Sequence, residues 1–244
     1  MKALIVGASA GVGRALSETL ATHGYSMILV ASDAQDLESQ ASYLRLVYGV
    51  RVKVVAADAN RAEDFLGRIL LAAEDFGHID GLFFPIGVSL NNDRGMLSIG
   101  EARFLFETNF LIIAGIIGHF LPDFLASGRG NIVGFGSVAA IRGRGSNMVY
   151  SAAKRGLESY FESLQHLVAG TDIRVQLYRL GYINTQQSFG KHLLFPSISP
   201  NKVAQEVVGN LDIDQRFFYF PRYWAFVANM VAFLPWGIFK KLNF

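Results

Sequence analysis

The chain of 244 residues has no cysteine. Disulfides, thiolate metal sites and thiol nucleophiles are therefore excluded. Histidine is scarce, and His23, His78, His119, His166 and His192 lie too far apart in sequence for a compact zinc pattern. Proline is sparse, and no Pro/Ser-rich run, charge block or low-complexity stretch offers a linker between domains. Charge of either sign is nearly balanced, 22 basic against 20 acidic residues, net +2. A nucleic-acid partner usually calls for a clustered basic surface, so none is expected. The apolar start is short, runs straight into glycines and lacks a signal-type cleavage region, so a buried first strand and a cytoplasmic location are expected.

What is present is alternation. Short β-rich apolar runs at 2–6, 26–30, 52–56, 81–84, 130–135 and 173–178 alternate with amphipathic stretches at 13–22, 34–48, 62–76, 100–125 and 148–167. Repeated strand–helix units point to an α/β fold with a doubly wound parallel sheet. The strands show little polar alternation, as burial on both faces requires. At 51% hydrophobic residues the length suits one large domain, 1–244, with a substrate-side segment at 186–221 and an apolar aromatic tail at 222–244. Sheets of this kind bind ligands beyond the strand C-termini, where strand order reverses, so residues following each strand are the candidates.

After the first strand come Gly7-Ala8-Ser9-Ala10-Gly11-Val12-Gly13. Glycines here allow positive φ and let a phosphate approach the backbone. The helix opening behind them offers unpaired N–H groups to a pyrophosphate. Gly7, Ser9, Gly11, Val12 and Gly13 are thus candidate dinucleotide contacts. The second strand ends at Ser32-Asp33, and Asp33 lies where a ribose-binding acid is expected. A carboxylate there accepts from a ribose 2′-OH and repels a 2′-phosphate, so NAD(H) is favoured, with NADP(H) second. The alternative is that Asp33 caps the next helix. Asp58-Ala59, after the third strand, presents the same choice between an adenine contact and a helix cap.

Tyr150 and Lys154 open the last long helix at a spacing of i, i+4, which puts both on one face. A nearby ammonium favours a phenolate, and acid–base work favours a pKa near ambient. Ser137, at the end of the fifth strand, can share a substrate oxygen with Tyr150. Each of these signals is weak alone. Together the glycine turn, Asn109, Ser137, Tyr150 and Lys154 resemble, in order and spacing, the classical short-chain dehydrogenase/reductase family over residues 1–190.

The resemblance implies a Rossmann fold, a nicotinamide cofactor and a carbonyl or secondary-alcohol substrate. It assigns Tyr150 as general acid or base, Lys154 to the nicotinamide ribose and the tuning of Tyr150, and Ser137 to the carbonyl. Asn109 would hold a water leading to Lys154, or else satisfy helix backbone. Gly87 would lie beside the cofactor ribose, and Ile183 and Thr185 at the nicotinamide carboxamide. A homodimer or homotetramer through the helices near 100–125 and 148–168 is implied as well.

Three departures mark a divergent member. Phe84-Pro85-Ile86-Gly87 stands for the family's Asn-Asn-Ala-Gly, Val6 for Thr, and Leu180-Gly181 for Pro-Gly. Phe189, Leu193, Leu194, Phe195 and Ile198 favour a substrate with apolar parts. The tail from Phe217 is aromatic and apolar, with Arg222, Lys240 and Lys241 about it. At 223–234 its apolar run is short for a span, which needs about 20 residues. It suits either an interfacial segment in peripheral membrane contact or packing on the domain or a second subunit. The tail is also similar to those of reductases of lipid-linked sugar intermediates, which implies a lipid-linked keto sugar as one substrate. The competing readings are a catalytically inactive dinucleotide-binding regulator or scaffold, and a sugar-nucleotide epimerase or dehydratase of the longer branch.

Overall fold

The computed structural model describes residues 1–184, 195–214 and 217–241. Seven parallel strands form one sheet among these residues, in the order β3-β2-β1-β4-β5-β6-β7. They are β1 (Lys2–Val6), β2 (Ser26–Ala31), β3 (Val52–Ala56), β4 (Gly81–Phe84), β5 (Arg129–Ser137), β6 (Asp172–Leu180) and β7 (Phe217–Phe220). The helices between them are α1 (Gly11–Thr22), α2 (Ala34–Tyr48), α3 (Ala62–Phe76), α4 (Ile99–Phe106), α5 (Ile112–Ser127), α6 (Met148–Leu167) and α7 (Pro200–Gly209), followed by α8 (Trp224–Phe233) and α9 (Trp236–Phe239).

The period-two geometry of a strand sorts each apolar run between two cores. Leu4 and Val6 of β1 join Ile28 and Val30 of β2 against α3, α5 and α6. Ala3 and Ile5 join Met27 and Leu29 against α1, α2 and α7. Both faces of the sheet are therefore covered. β1 pairs with β2 on one side and β4 on the other. Strand order reverses at that point, and a crevice opens there.

The long apolar helix expected at 100–125 runs from Ile99 to Ser127 but carries a π turn at Glu107–Leu111. The cause is Asn109, whose Nδ2 donates to the Leu105 carbonyl at 2.9 Å and to Val88 O at 2.8 Å. A side chain entering the i→i−4 ladder distorts it in this way. By length and composition this helix is apolar enough to cross a membrane. It buries Ile112, Ile113, Ile116, Ile117, Phe120 and Phe124 in the domain core instead.

Two strands are longer than their apolar runs, because β5 and β6 pair from Arg129↔Asp172 to Ser137↔Leu180. The aromatic run 217–220, read from sequence as the start of the tail, is strand β7 on the sheet edge beside β6.

Candidate active site

A cleft of about 1470 Å³ crosses the C-terminal ends of the central strands. Its floor at one end is the glycine turn. Gly7 has φ +95°, and a Cβ on it would lie 2.7 Å from the Ile86 backbone. A Cβ on Gly13 would lie 1.9 Å from the Gly7 carbonyl oxygen. Gly13 therefore allows close packing of helix on strand, and Gly7, Ser9, Gly11 and Val12 line the cleft itself. No side chain caps the N-terminus of α1 at Ala10. Its first N–H groups are left to a ligand at the cleft wall, and a dinucleotide pyrophosphate fits there.

Beyond the turn, Ser32, Asp58 and Ala59 line the cleft, as do Arg14 and Asp36. Asp33 takes the capping role: its Oδ1 accepts from Asp36 N at 2.8 Å. Asp58 accepts from the backbone and side-chain nitrogens of Asn60 at 3.0 and 2.9 Å, closing a turn at the cleft edge. Arg14 pairs with Asp36 at 3.5 Å.

Ser137 ends β5, and Tyr150 and Lys154 lie in the first turns of α6. All three line the cleft. Ser137 Oγ accepts from Ala139 N at 3.1 Å, and its hydroxyl is near enough to the Tyr150 phenol to favour the phenolate. Burial pushes Tyr150 above its ordinary pKa, while the Ser137 hydroxyl and the Arg144 guanidinium pull the other way. Arg144 reaches the phenol from the β5–α6 loop. Lys154 Nζ donates to the Phe135 carbonyl at 2.9 Å, and burial pulls its pKa down to about 8.

Gly87 lies against both Lys154 and Asn109. A Cβ there would be 3.2 Å from Asn109 Oδ1 and 3.4 Å from Lys154 Nζ. Asn109 is fully buried, and its Oδ1 accepts from Val88 N at 3.2 Å. It thus clamps the chain after β4 as well as its own helix, which is the backbone-satisfying alternative.

Ile183 lines the cleft and bridges to Ile198. Thr185, Phe189, Leu193 and Leu194 lie outside the described residues. Phe195 also lines the cleft, its ring 4.8 Å from that of Trp224.

The sequence reading missed the tail's part in the site. Trp224, Val227, Ala228 and Val231 of α8 form a cleft wall. Arg142, on the loop after Ser137, donates to Val231 O at 2.9 Å and to Leu234 O, and its guanidinium lies 3.9 Å from the Phe239 ring centroid. The tail therefore packs on its own domain with one face.

A doubly wound sheet, a glycine turn under an uncapped helix, and a Ser–Tyr–Lys group at one cleft define a class of oxidoreductase architecture. The family model for short chain dehydrogenases matches residues 1–191, and the chain belongs to that family. An uncharacterized oxidoreductase of Mycobacterium tuberculosis is 27% identical over 241 residues, 98% of this chain and 96% of the relative. The 3-oxoacyl-[acyl-carrier-protein] reductase FabG of Escherichia coli is 29% identical over 232 residues, 95% of this chain and 88% of the relative. Among solved structures, an alcohol dehydrogenase from Thermococcus sibiricus complexed with 5-hydroxy-NADP has a TM-score of 0.77 at 26% identity, covering 89% of this chain and 94% of that one. A short-chain dehydrogenase from Sphingobium yanoikuyae in complex with NADPH shares the fold with a TM-score of 0.85 at 22% identity, covering 100% and 96%.

Proposed function

We propose that the chain interconverts a carbonyl and a secondary alcohol with a nicotinamide dinucleotide. The observation that carries this is the convergence of Ser137, from the end of β5, with Tyr150 and Lys154, from the start of α6, on one cleft. When bound, the cofactor supplies or accepts the hydride. Tyr150 gives its phenolic proton to the carbonyl oxygen in reduction and takes it back in oxidation. Ser137 orients that oxygen. Lys154 would hold the nicotinamide ribose hydroxyls, with Gly87 and Ile183, which line the same cleft, at the ribose and the carboxamide; the Thr185 expected at the carboxamide lies outside the described residues.

NAD(H) is the favoured cofactor, with NADP(H) second. Asp36 lines this end of the cleft and Asp33 lies behind Ser32 as the cap of α2, while Arg14 neutralises Asp36 through its 3.5 Å pair. The net negative charge favours a free 2′-OH over a 2′-phosphate. The substrate has an apolar part, which Trp224, Val227 and Val231 support. Lipid-linked keto sugars and, after the Escherichia coli relative, 3-oxoacyl compounds are the two classes to try.

The chain works as one domain, with 186–221 on the substrate side and 222–244 as the tail. It is cytoplasmic, assembles as a homodimer or homotetramer through α4–α5 and α6, and touches the membrane peripherally through the tail.

The test is NADH and NADPH oxidation over simple ketones, 3-oxoacyl thioesters and lipid-linked keto sugars, with Tyr150→Phe alongside. Turnover by the wild type and a loss of at least ~10³-fold in Tyr150→Phe are expected. Equal rates in both proteins, or cofactor binding without turnover of any carbonyl, would favour the regulator or scaffold reading. A large preference for NADPH would overturn the cofactor assignment.

A further inference from the structure

The start of α6 has no cap of its own. Asn147, the residue before it, has φ +56° and makes no side-chain hydrogen bond to the helix. The first N–H groups of the helix are taken instead by a residue from another part of the chain. Asp93, on the loop between β4 and α4, accepts from Val149 N through Oδ1 and from Tyr150 N through Oδ2, both at 2.9 Å. Its backbone carbonyl accepts from Met148 N at 3.4 Å. Asp93 is 1% exposed, and no lysine, arginine or histidine forms an ion pair with it among the described residues. A buried carboxylate without a cationic partner is held here by the positive end of a helix and two charge-assisted hydrogen bonds.

We infer that Asp93 is a positioning residue for proton transfer: its carboxylate fixes the backbone of Tyr150 and thereby the reach of the phenol towards Ser137 and the substrate oxygen. This rests on the role given to Tyr150 above.

The anchoring loop is itself fixed at both ends. Asn109 clamps it at Val88. The Ser98–Glu101 capping box fixes it at α4, and Asn92 Nδ2 donates to Glu101 Oε1 at 3.0 Å. The loop is thus a rigid strut between the chain after β4 and the helix that carries Tyr150. Further along that helix, Lys154 is tied to β5 through Phe135 O. Without Asp93 the helix is held at Lys154 and free at its first turn, where Tyr150 lies. Displacements of about 1 Å at a reacting group cost up to ~10²-fold in rate.

The test uses the full-length enzyme with cofactor and compares Asp93→Ala, Asp93→Asn and Thr171→Ala. Thr171→Ala removes side-chain hydrogen bonds in the turn after α6 without touching its first turn or the anchoring loop. Rates are taken at a temperature where circular dichroism shows every variant folded. Asp93→Ala is expected to lose ~10- to 100-fold in kcat, with KM for the cofactor within twofold. Asp93→Asn, which keeps one acceptor, recovers part of the loss, and Thr171→Ala keeps the wild-type kcat. A kcat within twofold of wild type in Asp93→Ala overturns the proposal, as does an equal loss in Thr171→Ala. Should Asp93→Ala fail to fold, the same twofold limit applies to Asp93→Asn.

Amide exchange at Val149 and Tyr150 is the arm independent of turnover. It should rise at least ~10-fold in Asp93→Asn while α4 is unchanged; unchanged exchange sinks the anchor. Failure of the parent reading looks different: Tyr150→Phe then turns over as fast as wild type, and the exchange result still stands.

Discussion

Lys154 is a cation only 3% exposed, and burial holds its pKa at about 8 against an ordinary 10.5. The sign of its effect on stability follows. A lysine whose folded pKa is depressed binds fewer protons folded than unfolded between about 8 and 10.5, so its contribution improves as pH rises through that window. Below about 8 the buried ammonium carries its full cost. Lys154→Met should therefore stabilise the cofactor-free protein at pH 7, by about 1–2 kcal/mol after loss of the Phe135 hydrogen bond, and the gain should shrink above pH 8. Urea melts at pH 7 and pH 9.5 check this; a variant less stable than wild type at pH 7 would count against it. Turnover should be lost in the same variant. Lys154, Tyr150 and Ser137 were legible in the sequence because local spacing places them on one helix face and at one strand end. Arg144 and Asp93 were not. Each acts through space from a loop without periodicity, and its partner is a phenol or a backbone amide that no motif records. Asp33 was legible as a position and ambiguous as a role, since an acid after a strand serves a ribose or a helix cap equally well.

The tail elements show the same limit one level up. The strand–helix alternation through β6 was readable because each element repeats a period of 2 or 3.6. In the tail that signal fails: α8 is apolar but for Asn229, and β7 is four aromatics in a row. What seats α8 is contact made at a distance. Trp224 packs over Gly181, where a Cβ would lie 1.9 Å from its Nε1. Here the departure from the family's Pro-Gly leaves the glycine intact, and the tail explains why it is needed. Gly181→Ala should expel the indole, loosen α8 and raise KM for an apolar substrate by roughly tenfold while KM for the cofactor stays near wild type. Arg142→Ala removes two hydrogen bonds to the end of α8 and a cation–π contact with Phe239. A loss of about 1–3 kcal/mol in tail docking is expected. Limited proteolysis near 222–241 should then be faster in Arg142→Ala, with the rest of the chain intact; an unchanged cleavage rate would mean the tail is held by something else.

For the whole molecule, the question is what the outer side of that tail meets. Phe226 is 70% exposed, Phe233 84% and Trp236 67%, with Met230 and Ile238 also in the open. Phe226, Met230 and Phe233 lie on α8, whose inner face walls the cleft, and Trp236 and Ile238 follow on α9. From Phe217 to Phe244 the chain has no acidic residue, and it carries Arg222, Lys240 and Lys241. Arg222 lies 3.9 Å from Glu206, and aromatic and aliphatic side chains beside Lys240 and Lys241 match the chemistry of an anionic lipid surface. A bilayer there would bring an apolar substrate to the same helix that lines its pocket. A second copy of the chain would need no anionic charge on its partner, and the helices α4–α5 and α6, with Leu111, Leu125 and Leu167 exposed, offer a separate face for assembly. The two surfaces are separable by experiment. Flotation of the full chain with vesicles of phosphatidylcholine alone, and with 30 mol% phosphatidylglycerol as about a third of the lipid, should show binding only to the anionic set, weakened by high salt. Phe226→Glu with Phe233→Glu should abolish flotation and leave the mass measured by light scattering unchanged. If flotation is unaffected, or if the double variant instead dissociates the oligomer, the outer face of the tail is a subunit contact and the membrane reading falls.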